Sequence, residues 1–505
     1  MEGAFRFLDG RDWLVIFLYL LGIVSLGLWF GKDQRTTRDY FLGSKNTSWW
    51  GIGFSIVAAE TSALTIIGVP ALAFGSDLAF IQMIIGYVIA RIILAVVMVP
   101  HYLKGEIYSP YQLFANRLGA SARRTAGGFF LLSETLAAGV RVYVVSIPLQ
   151  LMLGISVLQA ILIFVGLALL YTCVGGVKAV IWTDAVQFGL FLLGGVFALV
   201  YIPSLVDGGL PEVMSRAAAG GKLHWFNGQF ALHEPFNIWM GVIGGTVMVM
   251  SSHGAEQLIV QRVLACKNVA DGRKALVLSA VMIFPLFFVF LLVGAMLWVF
   301  YQTHPFKVPI PDARPGIKAN DFVFPIFMLT EVPHVLKGFL IVAILSAAMS
   351  SVSSALTSLA SVSTMDFVKG AHGKRSEQFY LRFSRWSTVF WGGMLILTAY
   401  LSRQVPFVLN AAFTLRGLTS GALLGGILLA VFWKSGRPQP VIAGMLVSLA
   451  FMIFVSQFSW TEIVDGNPVQ HSVFWPWYTL IGTCVTLFTA FIFDRAHRAI
   501  RCRII

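Results

Sequence analysis

The sequence has little charge and few cysteines. Only 12% of its 505 residues are Asp, Glu, Lys or Arg, whereas soluble domains carry roughly 25%. The cysteines lack paired spacing, so neither a disulfide framework nor a zinc site is indicated; they are Cys173, Cys266, Cys484 and Cys502. No connection between apolar stretches is large enough to form a folded basic domain. A nucleic-acid partner is therefore not expected, despite the net charge of +13.

Long hydrophobic runs dominate instead. Hydrophobic residues make up 57% of the chain, and the mean hydropathy is +0.81. Stretches of about 20 apolar residues predict transmembrane helices, because barrel strands would be short and alternating. Such stretches begin near 12, 50, 78, 126, 156, 181, 235, 275, 333, 380, 406, 438 and 473. The sequence thus predicts an all-α polytopic membrane protein with about 13 transmembrane helices.

Basic residues cluster in alternate connections, which predicts the orientation of the chain in the cell membrane. The clusters are Lys32, Arg35, Arg38 and Lys45; Arg117, Arg123 and Arg124; Arg262, Lys267, Arg273 and Lys274; Lys374, Arg375, Arg382 and Arg385; and Arg495, Arg498, Arg501 and Arg503. The positive-inside rule places them in the cytoplasm if the amino terminus is outside and the carboxyl terminus is cytoplasmic. Connections 204–234, 304–332 and 458–472 then lie outside. The start, residues 1–11, lacks signal-peptide features, so the first apolar stretch is expected to be a retained helix.

One predicted helix is rich in hydroxyl groups. The stretch from Ala347 to Ser358 contains six Ser or Thr residues. Ser350, Ser354 and Ser358 recur every four residues and therefore share one helix face. Hydrocarbon cannot solvate hydroxyl groups, so this face is expected either to bind a small cation such as Na⁺ or to form a close helix contact with interhelical hydrogen bonds.

Two apolar stretches contain polar breaks. Glu60 is followed by Thr61, Ser62 and Thr65, and a second break spans residues 250–257, five predicted helices later. Unwound segments at matching positions are typical of inverted-repeat transporters, with the site between the two breaks. A proline kink at Pro70 with satisfied hydroxyl groups is the alternative for the first break.

Ionisable residues within predicted spans require partners, because each charge costs about 2.5–3.5 kcal/mol at a helix centre. They are Glu60, Arg91, Glu134, Arg141, Asp184 and Arg416. Arg141 could bind a solute carboxylate or pair with Glu60 or Glu134. Asp184 could be an ion ligand or a first-turn acid favoured by the helix dipole.

Several motifs together resemble the sodium:solute symporter family. They are the run Gly-Gly-Val-Lys-Ala-Val-Ile-Trp-Thr-Asp-Ala-Val-Gln at 175–187, Gln-Arg-Val-Leu-Ala-Cys-Lys at 261–267, and Ser350-Ser351 ahead of Ser-Thr-Met-Asp at 363–366. The resemblance implies a LeuT-type five-plus-five inverted repeat. Its regions would be an outer terminus, leading helix and inner loop (1–48), a first repeat (49–204), an outer connection (205–234), a second repeat (235–433), and two accessory helices with a cytoplasmic tail (434–505).

The same resemblance implies sodium ligands. A first Na⁺ would be bound by the main-chain carbonyls of Ala58, Thr61 and Ala347 and the hydroxyl groups of Ser350 and Ser351. A second Na⁺, as in some members of the family, would be bound by Asp184 with Ser350, Ser353 and Ser354.

The resemblance also implies a solute site near the two breaks. Candidate residues are Glu60, Ser62, Thr65, Gln82, Arg141, Ser252, His253 and Gln257, with Asn410 and Thr414 across the cavity. Glu60 stands where sugar carriers have an asparagine, so a hexose is not favoured. Small organic acids, amino acids, nucleosides, polyols and vitamins remain open.

The predicted function is therefore sodium-coupled import of a small organic solute by alternating access, with no catalytic site and a single chain sufficient for transport. Proton coupling through Glu60 is the main alternative. A transporter-like sensor is less favoured, because only about a dozen residues follow Asp494. An intramembrane hydrolase is disfavoured by the scattered histidines.

Overall fold

A computed structural model describes residues 8–31, 35–61, 63–233, 236–310, 312–314, 317–318, 320–369, 375–404, 408–433, 437–464 and 467–504. The first half of the chain contains α1 (Gly10–Gly31), α2 (Thr37–Leu42), α3 (Trp49–Glu60), α4 (Ala63–Gly75), α5 (Ile81–Val97), α6 (Val99–Leu103), α7 (Gln112–Leu118), α8 (Ala120–Leu153), α9 (Val157–Ser204) and α10 (Gly209–Ala219).

The second half contains α11 (Thr246–Gly254), α12 (Gln257–Leu264), α13 (Val269–Thr303), α14 (Val323–Thr330), α15 (Leu336–Val362), α16 (Glu377–Leu401), α17 (Val408–Phe432), α18 (Pro438–Gln457) and α19 (Tyr478–Ile504). Two short antiparallel hairpins add β1 (Asp312–Arg314), β2 (Ile317–Lys318), β3 (Ser459–Val464) and β4 (Asn467–Ser472). Segments Met240–Gly245 and Ser363–Lys369 are π-helical.

Among the described residues, eight helices are long and apolar enough to cross a membrane. A ninth span results if α3 and α4, which bend by 56° at their break, are counted together. The predicted class, a multi-pass helical membrane protein, is confirmed. Fewer described helices than the predicted 13 meet this criterion of length and composition, partly because α5 has only 17 residues. The count of about 13 transmembrane helices therefore stays a prediction.

Helix α9 has 48 residues but is not straight, since Gly176 interrupts it with φ 57° and ψ −159°. Only glycine adopts this conformation readily. A Cβ atom at this position would also lie 2.5 Å from the Tyr40 carbonyl oxygen. Gly176 therefore divides α9 into two helical segments and brings Asp184, in the second segment, beside α3 and α15.

Helix α15 lies at the centre of the bundle. Almost all its side chains are buried, and it packs against α9, α1, α8 and α3. Helix α1, by contrast, exposes large apolar side chains such as Leu14, Phe17 and Trp29. A helix that is buried on every side can carry hydroxyl groups only if each has a partner, which makes α15 a natural location for an internal polar site.

The connection after α10 covers the end of α4 and the start of α5. Lys222 Nζ donates hydrogen bonds to the carbonyl oxygens of Phe74 (2.9 Å) and Ser76 (2.7 Å). Burial of Lys222 lowers its pKa, and the nearby Asp77 opposes that shift. The backbone N–H of Leu78 donates to the carbonyl of His224 at 2.9 Å. These bonds hold the connection across one end of the bundle.

Candidate functional site

Two interrupted helices meet at one cavity. Helix α3 ends at Glu60, where Thr61 takes an extended conformation (φ −81°, ψ 105°). Helix α11 ends at Gly254, and Glu256 is extended (φ −95°, ψ 133°) before α12 begins. Both breaks leave main-chain polar groups without intrahelical partners, which is tolerated in a membrane only beside a cavity or buried protein.

The cavity has a volume of about 120 Å³. Aromatic and apolar side chains form most of its wall, with a few charged and hydroxyl groups among them. The described residues that line it are Ala59, Glu60, Thr65, Gly68, Val69, Leu72, Phe80, Tyr87, Ala137, Arg141, Phe236, Met248, Val249, Ser252, His253, Glu256, Leu258, Ile259, Phe287, Arg416, Gly417, Ser420, Trp475 and Thr479. An apolar wall with few convergent polar groups is typical of a small-molecule site.

Three arginine–glutamate pairs surround this cavity. Arg91 pairs with Glu60 and Arg416 with Glu256. Arg141 Nη2 lies 2.5 Å from Glu134 Oε1. Of the two glutamates predicted as partners of Arg141, Glu60 and Glu134, the structure pairs it with Glu134. Each buried charge is thus compensated, as a low-dielectric environment requires.

The pairs differ in which partner is the more exposed. The side chains of Arg416 and Arg141 are 24% and 12% exposed, whereas their partners Glu256 and Glu134 are 4% and 2% exposed. In the third pair the order is reversed, since Glu60 is 15% exposed and Arg91 is fully buried. The cavity wall therefore contains Arg141, Arg416, Glu60 and Glu256, and Glu256 is much less exposed than the other three.

His253 lies next to the anionic group. Its Nε2 is 3.5 Å from Glu60 Oε2 and has no hydrogen-bond partner within the described structure. Its Nδ1 contacts Ser252 Oγ at 2.8 Å. The pair of side chains on α11 thus presents hydrogen-bonding atoms toward Glu60.

The structure brings five of the predicted solute residues to this cavity, namely Glu60, Thr65, Arg141, Ser252 and His253. Ser62 and the side chain of Asn410 lie outside the described residues, and Thr414 is not among the described lining residues.

Gln82 and Gln257 are also not brought to the described lining of the cavity, because both are engaged elsewhere. Gln82 Nε2 donates to the Phe236 carbonyl at 2.8 Å, and its Oε1 accepts from the Asn227 N–H at 3.2 Å. Gln257 Nε2 donates to the Tyr108 carbonyl (2.7 Å) and to Ser361 Oγ (3.0 Å). Gln82 thus binds the connection that follows α10, and Gln257 joins α12 to α15.

The residues predicted for the first sodium ion lie on elements that pack together. Ala58 and Thr61 are at the end of α3, and Ala347, Ser350 and Ser351 are on α15, which packs against α3. All five are buried. Thr61 Oγ1 is buried without a hydrogen-bond partner among the described residues, and Ser351 Oγ donates to the Ala347 carbonyl at 3.1 Å.

The residues predicted for the second sodium ion form a connected network with an unforeseen member. Asp184 accepts hydrogen bonds from Ser350 Oγ (2.7 Å) and Ser55 Oγ (2.6 Å). Arg262 Nη2 lies 2.7 Å from Asp184 Oδ2 and also bonds Ser354 Oγ. Ser353 Oγ donates to the Ser350 carbonyl at 3.0 Å.

Arg262 therefore corrects one part of the topology prediction. The positive-inside count treated it as a charge of an inner connection, but it lies in α12 and its side chain is only 1% exposed. The sequence feature that could have identified Arg262 as a buried residue is its position, five residues after Gln257 and next to the second helix break. Glu256, the partner of Arg416, was also missed, although it lies within that polar break.

Comparison with known proteins settles the class. The model of the sodium:solute symporter family matches residues 40–448. The chain belongs to this family. It is 30% identical to the sodium/sialic acid symporter SiaT of Proteus mirabilis over 87% of this chain and 88% of the relative. Identity to the human sodium/iodide cotransporter is 26%, over 88% of this chain and 69% of that protein.

Solved structures agree with the family. The outward-open, substrate-bound structure of a Na⁺-coupled sialic acid symporter has a TM-score of 0.85 at 25% identity, covering 97% of this chain and 98% of that chain. The nucleobase-cation-symport-1 transporter Mhp1 in a closed conformation shares the fold at a TM-score of 0.57, with 15% identity over 92% and 96% of the two chains. The expected LeuT-type helical fold is confirmed.

The family assignment confirms the predicted class of activity. This symporter is a sodium-coupled transporter of a small solute, not an enzyme, and Na⁺ is its coupling ion. It is a multi-pass membrane protein. The identity of the solute, the number of sodium ions and the residues that bind them are the questions that the geometry must address.

Proposed function

We propose that this symporter imports a small carboxylate that also carries a hydrogen-bond donor, such as an amino acid or a hydroxy acid, together with two sodium ions. The observation that carries the proposal is the unequal exposure of the three ion pairs. Arg416 and Arg141 turn toward the cavity while their acids are buried, and Glu60 turns toward it while Arg91 is buried.

The two arginines suit a carboxylate. A guanidinium group presents several donors in a planar fork that matches a carboxylate. Because each arginine is already neutralised by a glutamate, the site can accept an anion only at the exposed side of the pair. Sialic acid, iodide and monocarboxylates, the solutes in the names of several relatives, are all anionic, which agrees with the two partly exposed arginine side chains in the cavity wall.

Glu60 and His253 suit the donor part of the solute. The carboxylate of Glu60 is an acceptor, and His253 Nε2 is buried without a partner among the described groups. A solute amino or hydroxyl group could donate to the exposed side of the Glu60 carboxylate, beside which His253 lies.

The volume limits the size of the solute. About 120 Å³ is slightly less than the engineered cavity of about 150 Å³ that binds benzene. A small solute is therefore favoured over a large acidic sugar. The surrounding aromatic residues Phe80, Tyr87, Phe287 and Trp475 would contact the apolar part of the solute.

For the first sodium ion we propose the carbonyl oxygens of Ala58, Thr61 and Ala347 and the hydroxyl groups of Ser350 and Ser351. Two features support this assignment. The helix break after Glu60 frees main-chain carbonyls, and Thr61 Oγ1 is buried without a partner among the described residues. Oxygen dipoles without a local carboxylate are suited to a weakly bound monovalent cation.

For the second sodium ion we propose Asp184, Ser350, Ser353 and Ser354, with Arg262 as a competitor for the same carboxylate. The pair of Asp184 and Arg262 is neutral and buried. Adding Na⁺ without moving Arg262 would leave a net positive charge in a dry environment, which is strongly unfavourable. Sodium binding would therefore require the guanidinium group to leave Asp184 and Ser354, which couples the ion to a movement of α12.

Two ions would supply a substantial driving force. A tenfold gradient gives roughly 1.4 kcal/mol per ion, and a 100 mV potential adds about 2.3 kcal/mol per charge. Two ions moving with a zwitterionic amino acid, which has no net charge, thus supply on the order of 7 kcal/mol, or about 10⁵-fold accumulation. One ion would supply only about 10²- to 10³-fold.

The same proposal includes the domain boundaries and the topology predicted from the sequence. The two repeats would span 49–204 and 235–433, flanked by regions 1–48, 205–234 and 434–505. The amino terminus would be outside, the carboxyl terminus cytoplasmic, and one chain would suffice for transport in the lipid bilayer.

Thermal stability of the purified protein tests the proposal. A ligand that binds the folded state raises the melting temperature. We expect small amino or hydroxy acids to raise it in NaCl much more than in KCl, and acids without a donor to raise it less. Uptake of the best solute into proteoliposomes, measured against Na⁺ concentration, then gives a Hill coefficient near two. A stabilising solute that acts equally in NaCl and KCl would contradict sodium coupling at this site.

A further inference from the structure

Two histidines and a glutamate meet at the end of the bundle where the outer connection contacts the β3–β4 hairpin. His471 Nε2 lies 3.5 Å from Glu462 Oε2, and the rings of His233 and His471 have centroids 4.0 Å apart. One potential ligand atom from each of the three residues lies within 4.8 Å of the others. The cluster is separate from the solute cavity and from the proposed sodium sites.

The backbone positions these three side chains. In the hairpin, Trp460 pairs with His471 and Glu462 with Val469, so Glu462 and His471 are diagonal neighbours on one face. His233 comes from the connection between α10 and the π-helix. It is held beside the hairpin because the Phe474 N–H donates to the Leu232 carbonyl at 2.9 Å. The three ligands therefore come from two segments that are far apart in sequence.

The hydrogen bonding of the cluster is incomplete. His471 Nε2 is buried and has no hydrogen-bond partner among the described groups. A buried nitrogen without a partner is costly. A divalent cation bound to both rings and to Glu462 would provide the missing partner.

We propose that His233, His471 and Glu462 form a site for a borderline divalent transition-metal ion of the zinc class. Two imidazoles and one carboxylate are a known zinc ligand set that leaves a fourth position for water. The separation of 3.5 Å between His471 Nε2 and Glu462 Oε2 agrees with two ligands of one ion at metal–ligand distances of about 2.0–2.2 Å. Hard cations such as Mg²⁺ prefer oxygen ligands and are not expected to bind.

The ion would connect two segments that cover the solute cavity. Phe236 follows His233 by three residues, and Trp475 follows His471 by four. Both line the cavity, and the ring of Phe236 contacts Phe474 with centroids 5.5 Å apart. Binding of the ion therefore restrains the part of the protein that must move if the cavity opens on this side, and it slows transport. With the proposed topology this is the outer side.

Zinc titration of protein without a histidine tag tests the site directly. We expect Zn²⁺ at micromolar concentrations to raise the melting temperature by a few degrees, and Mg²⁺ to have no effect. His471→Ala and His233→Ala should each weaken Zn²⁺ binding by about 100-fold or more, since outer-shell partners alone contribute 10- to 100-fold. His224→Ala is the matched control, because it removes a more exposed imidazole that contacts Asp77, and it should retain the response.

Cobalt substitution gives an independent readout. Co²⁺ should produce the absorption of a tetrahedral complex in the wild-type protein and in His224→Ala, and lose it in His471→Ala. If Zn²⁺ produced no shift, or if the shift persisted in both His233→Ala and His471→Ala, the site would be refuted regardless of the solute.

Uptake into vesicles tests the consequence for transport. Zn²⁺ on the outer face should slow sodium-driven uptake of the wild type, and His471→Ala should relieve the inhibition. Zinc binding without any change in uptake would overturn the proposed restraint of the cavity cover. The metal titration does not depend on which solute is carried, so failure of the solute proposal and failure of the metal site are distinguishable.

Discussion

The solute cavity and the Asp184 network use buried charge in opposite ways. In the cavity, Arg416 and Arg141 are partly exposed and their glutamates are buried. In the network, Asp184 and Arg262 are both almost completely buried, and two serine hydroxyl groups complete the coordination of the carboxylate. The first arrangement leaves charge available to a ligand, and the second leaves none available until one member moves.

This difference indicates two kinds of binding. A solute can dock against the exposed side of an ion pair without breaking it. In the proposed second site, a sodium ion at Asp184 would have to replace the guanidinium group, so its binding would be linked to a rearrangement. Coupling between ion and solute requires such a two-state element, in which binding at one site changes the arrangement at another.

Loss of Arg262 should have the largest effect. Removing one partner of a buried ion pair costs about 3–5 kcal/mol, so Arg262→Met should melt at a much lower temperature than the wild type in KCl. Na⁺ should restore much of the stability, because it would replace the missing positive charge at Asp184. Melting curves in matched NaCl and KCl solutions measure both effects.

The double variant Arg262→Met with Asp184→Asn is the control for this experiment. Removing both charges removes the uncompensated carboxylate, so the double variant should be more stable in KCl than Arg262→Met alone. It should also lose the extra stabilisation by Na⁺. A sodium response of Arg262→Met no larger than that of the wild type would argue against competition for Asp184.

Substitution of Arg416 should have the next largest effect, this time on the solute. A hydrogen bond to a charged group contributes about 1.5–3 kcal/mol, so Arg416→Gln should raise the KM for the solute by about 10- to 100-fold. Arg123→Gln is a matched control, because Arg123 pairs with the buried Asp366 outside the described cavity lining. It should lower stability similarly but leave KM nearly unchanged. Equal KM values in the two variants would contradict a carboxylate at Arg416.

Several parts of this comparison could be predicted from the sequence because they depend on local spacing. The hydroxyl groups of α15 recur every four residues, and Glu134 and Arg141 are seven residues apart on one helix, so their proximity follows from helix geometry. The polar segments after Glu60 and near His253 indicated the breaks that line the cavity. The LeuT-type fold followed from the combination of motifs.

Other parts depended on contacts between distant segments and could not be predicted. Whether Gln82 faces the cavity is decided by the connection that follows α10, which folds back and forms hydrogen bonds with it. In the sequence, Arg262 resembled one of the basic residues that mark a cytoplasmic connection. Its ion pair with Asp184 joins two positions 78 residues apart, so local spacing could not reveal it. The hydrophobic pattern predicts where a transmembrane span lies. It does not show which basic residue near a span is buried inside the bundle.

Neutralising Glu60 should separate sodium coupling from proton coupling. Glu60→Gln retains an oxygen that can accept from Arg91 but loses the negative charge that faces the cavity. We expect uptake to remain sodium-dependent. The solute KM should rise about tenfold, which corresponds to the lower end of the free energy that a hydrogen bond to a charged group contributes. Uptake is measured across a pH series at fixed Na⁺. If the wild type were driven by a proton gradient without Na⁺ and Glu60→Gln abolished that drive, Glu60 would be the coupling group.

Removal of one hydroxyl group from the first sodium site should have the smallest effect. Ser351→Ala deletes one neutral ligand. A neutral polar contact contributes about 1 kcal/mol, so the Na⁺ concentration for half-maximal uptake should rise only a few-fold. Ser358→Ala is the control on the same helix, since Ser358 Oγ bonds the Ala355 carbonyl at 2.9 Å and is not a proposed ligand. Similar Na⁺ dependence in the two variants would exclude Ser351 as a ligand. A difference between them would show that two hydroxyl groups two turns apart on one buried helix have separate roles, one in ion binding and one in packing.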